Sequence, residues 1–383
     1  MPKSVASKQT VVVAGDVTID WNLARIKAAK MAGTTWNTED TTRAHGHPGG
    51  ACLIAELVKA LAADLPGQVD WIVHSIPDPD VVRPDDARYH HSYTTWSLEP
   101  RDDKAKEASV WRVDEFLGIH RAAGTSVGDE DLKRVANDTP EADLVALDDA
   151  DLGFRDDPAL WPLAINQGRP WIILKMARPV AQGRLWEHLR QHHAERVVAV
   201  TTVDDLRLSE VQVSRGLSWE RTAEDLMWEL KYNPHIRGLS ECAHVVVSFD
   251  TAGALLLSGG RSDQSATLFF DPQVIEGMWA QHYPGAMIGY TSCLAASLAS
   301  QLFRPPDQQD IAQGVQSGLA AMRRLHVVGY GASRTNPRDA QVVFPTQEVI
   351  TEIGKGEKLF AEAEVRDPAR FLRDGGDDGE RPH

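Results

Sequence analysis

Two aspartates, two glycine-bearing turns and one acidic segment are the residues of this sequence best suited to chemistry. Asp16 and Asp20 follow Val11-Val12-Val13-Ala14-Gly15, a β-branched run that reads as a buried strand. Carboxylates just past the carboxyl end of a central strand lie where α/β sheets bind ligands. A turn aspartate capping local N–H groups is the competing reading for each of them. His47-Pro48-Gly49-Gly50-Ala51 leads into Ile54, Leu57, Val58 and Leu61 at helical spacing. Paired glycines let a backbone approach a ligand closely at a helix start, although a plain N-terminal turn has the same residues. Further on, Pro284-Gly285 in His282-Tyr283-Pro284-Gly285-Ala286-Met287-Ile288-Gly289-Tyr290 breaks the chain ahead of an apolar segment with Thr291, Leu294, Leu298 and Leu302. A glycine turn feeding a helix start aims several unpaired N–H groups, and the positive end of the helix dipole, at an anion such as phosphate. The alternative is a cap on a core helix.

The remaining chemistry-bearing residues read as structural. His90-His91 lacks a third ligand at convincing spacing and is taken as a solvated pair. His188, His192 and His193 share part of a helix face, which is taken as polar surface rather than a metal site. Cys52, Cys242 and Cys293 are widely separated in apolar contexts, as small buried hydrophobes are.

Composition narrows the classes. The chain of 383 residues, with 42% hydrophobic and 25% charged residues, is long enough for one large or two ordinary domains and can bury a sizeable core. A net charge of -15 repels nucleic acid and anionic membrane surfaces. No stretch approaches a membrane span in length, and Met1 to Thr10 lacks the apolar core of a signal peptide. The cytoplasm is the expected location.

The elements that must position these residues alternate between strand and helix. Strands are expected at Val69 to Ile76, Asp143 to Asp149 (ending in carboxylates), Trp171 to Lys175, Arg196 to Val200, His244 to Phe249, Ala254 to Leu257 and Ala266 to Phe270. Helices are expected around Trp161 to Ile165, over Gln182 to His193, from Ser218 through Leu230, after Tyr290, and over Ile311 to Leu325. Asp250-Thr251-Ala252-Gly253 reads as a tight turn. Such alternation implies a mainly parallel sheet covered on both faces. Residues 21–47 are polar and irregular and read as a flap over the sheet's edge. Residues 77–125, rich in Tyr89, Tyr93, Trp96, Trp111 and Phe116, suit an interface or lid better than a core, with Val110 to Val113 strand-like within them. Residues 365–383 are rich in glycine and charge and read as a disordered tail.

In this order the features resemble the ribokinase (PfkB) family of sugar and nucleoside kinases, in register over about residues 10–345. Gly15-Asp16, with Asp20 behind it, resembles the family's opening segment that contacts substrate hydroxyls. Pro48-Gly49-Gly50-Ala51 is similar to its first glycine signature, although Leu53 and Ile54 stand where asparagine is usual. Asp205-Leu206-Arg207-Leu208-Ser209-Glu210 resembles the segment that organises magnesium and phosphate, with Thr202 and Asp205 in the places of an asparagine and a glutamate. Val246 to Ala254, with Ser248 and Gly253, resembles the strand-turn-strand that lines the nucleotide phosphates. Gly285-Ala286-Met287-Ile288 aligns with the family's Gly-Ala-Gly-Asp, whose amides form an anion hole and whose aspartate deprotonates the substrate's hydroxymethyl group.

The resemblance implies a ribokinase-like three-layer α/β domain over residues 1–355, with a small lid. It implies substrate contacts at Asp16, Asp20, Gly49 and Gly50, and nucleotide or phosphate contacts at Ser248, Gly253, Gly285, Ala286 and Met287. Metal contacts are implied at Asp205 and Glu210, with ATP and Mg2+ as cofactors. Homodimers formed through such a flap are common among family members, and residues 77–125 offer a surface for another protein. Ile288 stands at the base position and cannot accept a proton, a loss typically worth 10²–10⁴-fold. Glu276, His282 and Tyr283 are the nearest replacements. Two functions follow: an ATP-dependent kinase of a hydroxymethyl compound, or a catalytically degenerate relative that binds such ligands as a sensor, regulator or scaffold.

Overall fold

A strand buried on both faces needs an unbroken apolar run, because neither face meets water. Val11 to Ala14 supply it for β1 (Lys8–Gly15), and all four are fully buried. β7 (Leu144–Asp149), β8 (Trp171–Met176), β9 (Val197–Thr202) and β10 (His244–Ser248) are built in the same way. The computed structural model describes residues 8–26, 41–64, 70–76, 94–98, 108–117, 142–151, 153–177, 180–213, 219–249, 252–260, 265–271, 289–304, 306–335 and 361–365.

With β4 (Asp70–Ile76), β11 (Gly253–Ser258), β12 (Ser265–Phe270) and β13 (Ala361–Glu364), these strands make a nine-stranded sheet. Its order is β4-β1-β7-β8-β9-β10-β11-β12-β13. Neighbours from β4 to β10 run parallel, and the last three pairings are antiparallel. The reversal falls at the turn expected between β10 and β11, of which residues 250 and 251 lie outside the described residues. Gly253 is required there for packing, since a Cβ would sit 2.1 Å from the Phe269 carbonyl oxygen.

Side chains alternate across a strand, so each strand feeds two cores. Val11, Val13, Ala146, Ile173, Val200 and Val246 face one layer, made by α1 (Ala51–Asp64), α6 (Tyr290–Leu302) and α7 (Ile311–Thr335). Val12, Val145, Leu174, Ala199 and Val247 face the other. That second layer is made by α2 (Leu163–Gln167), α3 (Gly183–His192), α4 (Val203–Leu208) and α5 (Trp219–Tyr232). Each fully buried Val, Leu or Ile contributes about 1.5–3 kcal/mol by leaving water. Helix, sheet, helix is the three-layer architecture the alternation implied.

The flap is more regular than its composition suggested. β2 (Val17–Ile26) and β3 (Thr41–Pro48) are antiparallel partners, so residues 21–47 are not irregular throughout. β6 (Ala108–Leu117) pairs with the other edge of β2, and β5 (Thr94–Leu98) pairs with β6. The described strands of the flap and of the aromatic insertion, read separately from the sequence, thus form one antiparallel sheet of order β3-β2-β6-β5. The physical reason is that a two-stranded hairpin is marginal in water and a third strand gives it support. In the chain, β2 and β3 of this small sheet lie between β1 and α1, and β5 and β6 lie between β4 and β7. A mainly parallel sheet with helices on both faces and a small accessory sheet is the architecture that the sequence resemblance implied.

Candidate functional site

The carboxyl ends of β1, β7, β8, β9 and β10 lie side by side along one edge of the parallel sheet. At β1 the chain turns at Gly15, whose φ of 141° and a Cβ position 2.2 Å from the Asp148 carbonyl oxygen admit only glycine. Asp16 follows and is fully buried. Its N–H donates to the Asp148 carbonyl at 2.8 Å, and its own carbonyl accepts the Ala51 N–H at 2.9 Å. Its carboxylate accepts the Ala150 N–H (2.9 Å) and the Phe154 N–H (3.1 Å). Asp16 therefore ties β1, the segment after β7 and the start of α1 together. Gly49 and Gly50 are buried beside it, Gly50 with φ 60°. Asp20 lies on β2, in register with His47 and Asp114.

Adjacent aspartates close β7 and serve opposite faces. Asp148 pairs with Lys175 of β8, Nζ to Oδ2 at 2.5 Å. Asp149 accepts from Arg155 Nε at 2.7 Å, and Arg155 Nη1 lies 3.2 Å from Asp151. Burial pushes the Asp149 carboxyl up to about 6, although the Arg155 charge and hydrogen bond pull the other way. Arg155 itself is buried, and its Nη2 has no acceptor among the described residues.

At β9 the hydroxyl of Thr202 caps α4: it accepts the Asp205 N–H at 3.0 Å and donates to the Asp205 carboxylate at 2.7 Å. Glu210 stands exposed in a left-handed turn past α4, with φ 64°. Among the described residues, no three His, Cys, Asp or Glu side chains gather as a metal-ion site. Magnesium is commonly held by one or two carboxylates together with ligand phosphates, and Asp205 fits that modest demand. Ser248 closes β10 with a buried Oγ that has no hydrogen-bond partner among the described residues, and Thr201 Oγ1 is in the same condition. Gly253 follows across the turn, and Asp271 beyond β12 pairs with Arg323 at 2.7 Å.

The structure thus brings Asp16, Gly49, Gly50, Asp205, Ser248 and Gly253 to one edge. Gly285, Ala286, Met287 and Ile288 lie outside the described residues, as do Glu276, His282, Tyr283, His90-His91 and residues 366–383. Gly289 N-caps α6 with φ 82°, which agrees with a helix starting at Tyr290. Sequence reasoning passed over Lys175 and Arg155. The signal for Lys175 was a charge ending the apolar run Trp171-Ile172-Ile173-Leu174; Arg155 gave none.

Of the three histidines read as polar surface, His192 is exposed, whereas His188 is half-buried and His193, just past α3, turns inward. His193 is buried, and its Nε2 and that of His188 both lie against the Ile165 carbonyl, at 2.6 and 3.1 Å. They fasten α3 to α2, and burial lowers the His193 pKa below the ordinary value. Beside them is an open groove of about 560 Å³ lined by Asp156, Trp161, Arg184, Glu187 and His188, none from a strand. The three cysteines are buried and none is in a disulfide, as expected.

No family model and no curated protein matches the sequence. Solved structures similar to it include ribokinase from Giardia lamblia, at 11% identity and a TM-score of 0.45, covering 91% of this chain and 100% of that one. The pyridoxal kinase from Leishmania donovani in complex with ADP and pyridoxamine is 11% identical, with a TM-score of 0.43 and coverage of 93% and 99%. The pyridoxal kinase from Staphylococcus aureus in complex with pyridoxal is 10% identical, with a TM-score of 0.38 and coverage of 94% and 99%. At these identities and TM-scores, neither activity nor substrate passes from those proteins to this chain.

Proposed function

We propose that this chain binds a nucleotide and a small sugar-, nucleoside- or vitamin-like ligand along the carboxyl edge of its sheet, and transfers a phosphoryl group to a hydroxymethyl oxygen. The observation that carries this reading is the gathering of polar and charged side chains at the carboxyl ends of adjoining parallel strands, where open α/β sheets bind ligands. The buried Oγ of Ser248, without a partner among the described residues, supports it, because buried hydroxyls are ordinarily satisfied and a ligand oxygen would satisfy this one. Phosphoryl transfer rests mainly on positioning and electrostatics, so the edge needs chiefly donors and a place to hold two reactants. Ser248, Gly253 and the backbone at Gly285, Ala286 and Met287 are assigned to the phosphates. Gly49 and Gly50 are assigned to the acceptor, together with Asp20. Asp205 is the carboxylate that would hold Mg2+, which would shield phosphate charge. Asp16 acts by positioning, since both its oxygens already accept backbone amides.

A second reading has its own observation. Ile288 stands where a base is needed, which favours a binder without turnover that serves as a sensor or scaffold, acting as a homodimer or with a protein partner. Calorimetric titration with ATP and with ADP, with and without Mg2+, tests the shared premise; absence of binding under all four conditions would falsify both readings. Phosphate release or transfer measured over a panel of hydroxymethyl compounds then separates kinase from binder.

A further inference from the structure

Lys175 is the penultimate residue of β8, on the same face as Ile173 and hence on the α6 side of the sheet. Every other member of that strand face is apolar, so the charge is confined to the carboxyl edge. In register it sits between Asp148 of β7 and Val200 of β9. Its Nζ reaches Asp148 Oδ2, the one acceptor within hydrogen-bond distance of it among the described residues. The Lys175 side chain is 20% exposed and that of Asp148 only 2%.

A pair of this kind adds little to stability. Desolvating two charges offsets most of their attraction, and apolar residues of equal volume generally serve a core as well or better. An ammonium carries three N–H donors, and one carboxylate oxygen occupies one of them. On the same face, two strands over and two residues further along its strand, about 12 Å away at ordinary strand spacing and rise, lies the Oγ of Ser248, which has no partner among the described residues. A cation with spare donors and a hydroxyl lacking a partner, separated by about the length of an oligophosphate, are complementary to one kind of ligand.

We infer that Lys175, held in place by Asp148, is an anion seat that binds a phosphate group of the ligand, with Asp148 as its positioning residue. The inference deepens the function proposed above and rests on the same edge of the sheet. The phosphate belongs either to the nucleotide or to a phosphorylated acceptor.

The test compares wild type with Lys175→Met, Lys175→Arg, the double variant Lys175→Met/Asp148→Asn, and Lys231→Met as an equal charge change on α5. Each is titrated calorimetrically with pyrophosphate, ATP, adenosine and ribose 5-phosphate, and its thermal midpoint is recorded. Loss of one charge-assisted contact predicts roughly tenfold to hundredfold weaker pyrophosphate binding in Lys175→Met. Lys175→Arg should keep most of the affinity, and Lys231→Met and adenosine binding should be unaffected. A loss confined to ATP assigns the phosphate to the nucleotide, and a loss confined to ribose 5-phosphate assigns it to the acceptor. The double variant should recover thermal stability without recovering affinity. If it recovers both, the pair is structural and the inference fails. Unchanged pyrophosphate, ATP and ribose 5-phosphate binding in Lys175→Met overturns the inference while leaving the proposed function standing. Pyrophosphate binding lost in Lys175→Met, in a protein that binds no nucleotide, removes the proposed function and keeps the anion seat. Absence of all phosphate binding in wild type removes both.

Discussion

Asp148 and Asp149 are neighbours in sequence but belong to different layers, and their chemistry differs accordingly. Asp148 meets a lysine at the carboxyl edge of the sheet, whereas Asp149 is enclosed with Arg155 under the 3-10 turn of Phe154–Asp156. Burial raises the Asp149 carboxyl to about 6 from an unfolded value near 3.8. Between those two values the folded chain holds a proton that the unfolded chain has released. The associated stabilisation is therefore complete below about pH 4 and is lost as pH rises through about 6. Asp149→Asn abolishes this titration, so denaturant unfolding at pH 4.5 and 7 should show a smaller decline across that interval than in wild type. The expected difference is on the order of 2 kcal/mol. Gly15 supports a second residue-scale prediction. Gly15→Ala places a methyl group against the Asp148 carbonyl and forces a disfavoured φ, so it should cost at least about 1–3 kcal/mol in the same assay.

Among the elements, α6 and α7 are packed through small residues. A Cβ on Gly318 would lie 2.7 Å from Leu294 Cδ1, and one on Gly314 would lie 3.1 Å from Gln301 Cγ. Gly318→Val therefore overfills the contact and should lower stability by about 1–3 kcal/mol by thermal or denaturant melting. Because α6 lies over β7, β8 and β9 and begins at Gly289, the same variant should also weaken ligand binding, by displacing the helix start from the edge. If stability falls while affinity for ATP holds, the helix start has no part in the site. Elements of this kind were legible beforehand: α1, α6, α7 and the parallel strands announce themselves through apolar runs and helical spacing. The small sheet did not, because β2 and β6 pair across many intervening residues. No local pattern reports a contact of that separation.

At the scale of the molecule, the parallel strands are sandwiched between two helical layers. Amides of β7, β8 and β9 should exchange hydrogen most slowly of all, since opening them requires both cores to part. Comparable exchange in β2 or β3 would contradict that ordering. The net charge of -15 sets a different property: at neutral pH the protein should not be retained on a heparin column. Among the described residues, no helix is long and apolar enough to cross a membrane.

Sequence alone determined the layering, because alternating apolar strands and amphipathic helices have few ways to bury their surfaces. It also showed carboxylates at the ends of the first strand and of Asp143 to Asp149, while the grouping of Gly49, Gly50, Asp205, Ser248 and Gly253 with Asp16 came from the family resemblance. Tertiary structure decided what those residues do there. It gave both oxygens of Asp16 to backbone amides, set Lys175 against Asp148, closed Asp149 upon Arg155, and left Ser248 Oγ without a partner among the described residues. Those outcomes depend on which side chain lies across from which. Strand register and burial settle that question, and both arise from contacts between residues far apart in the chain.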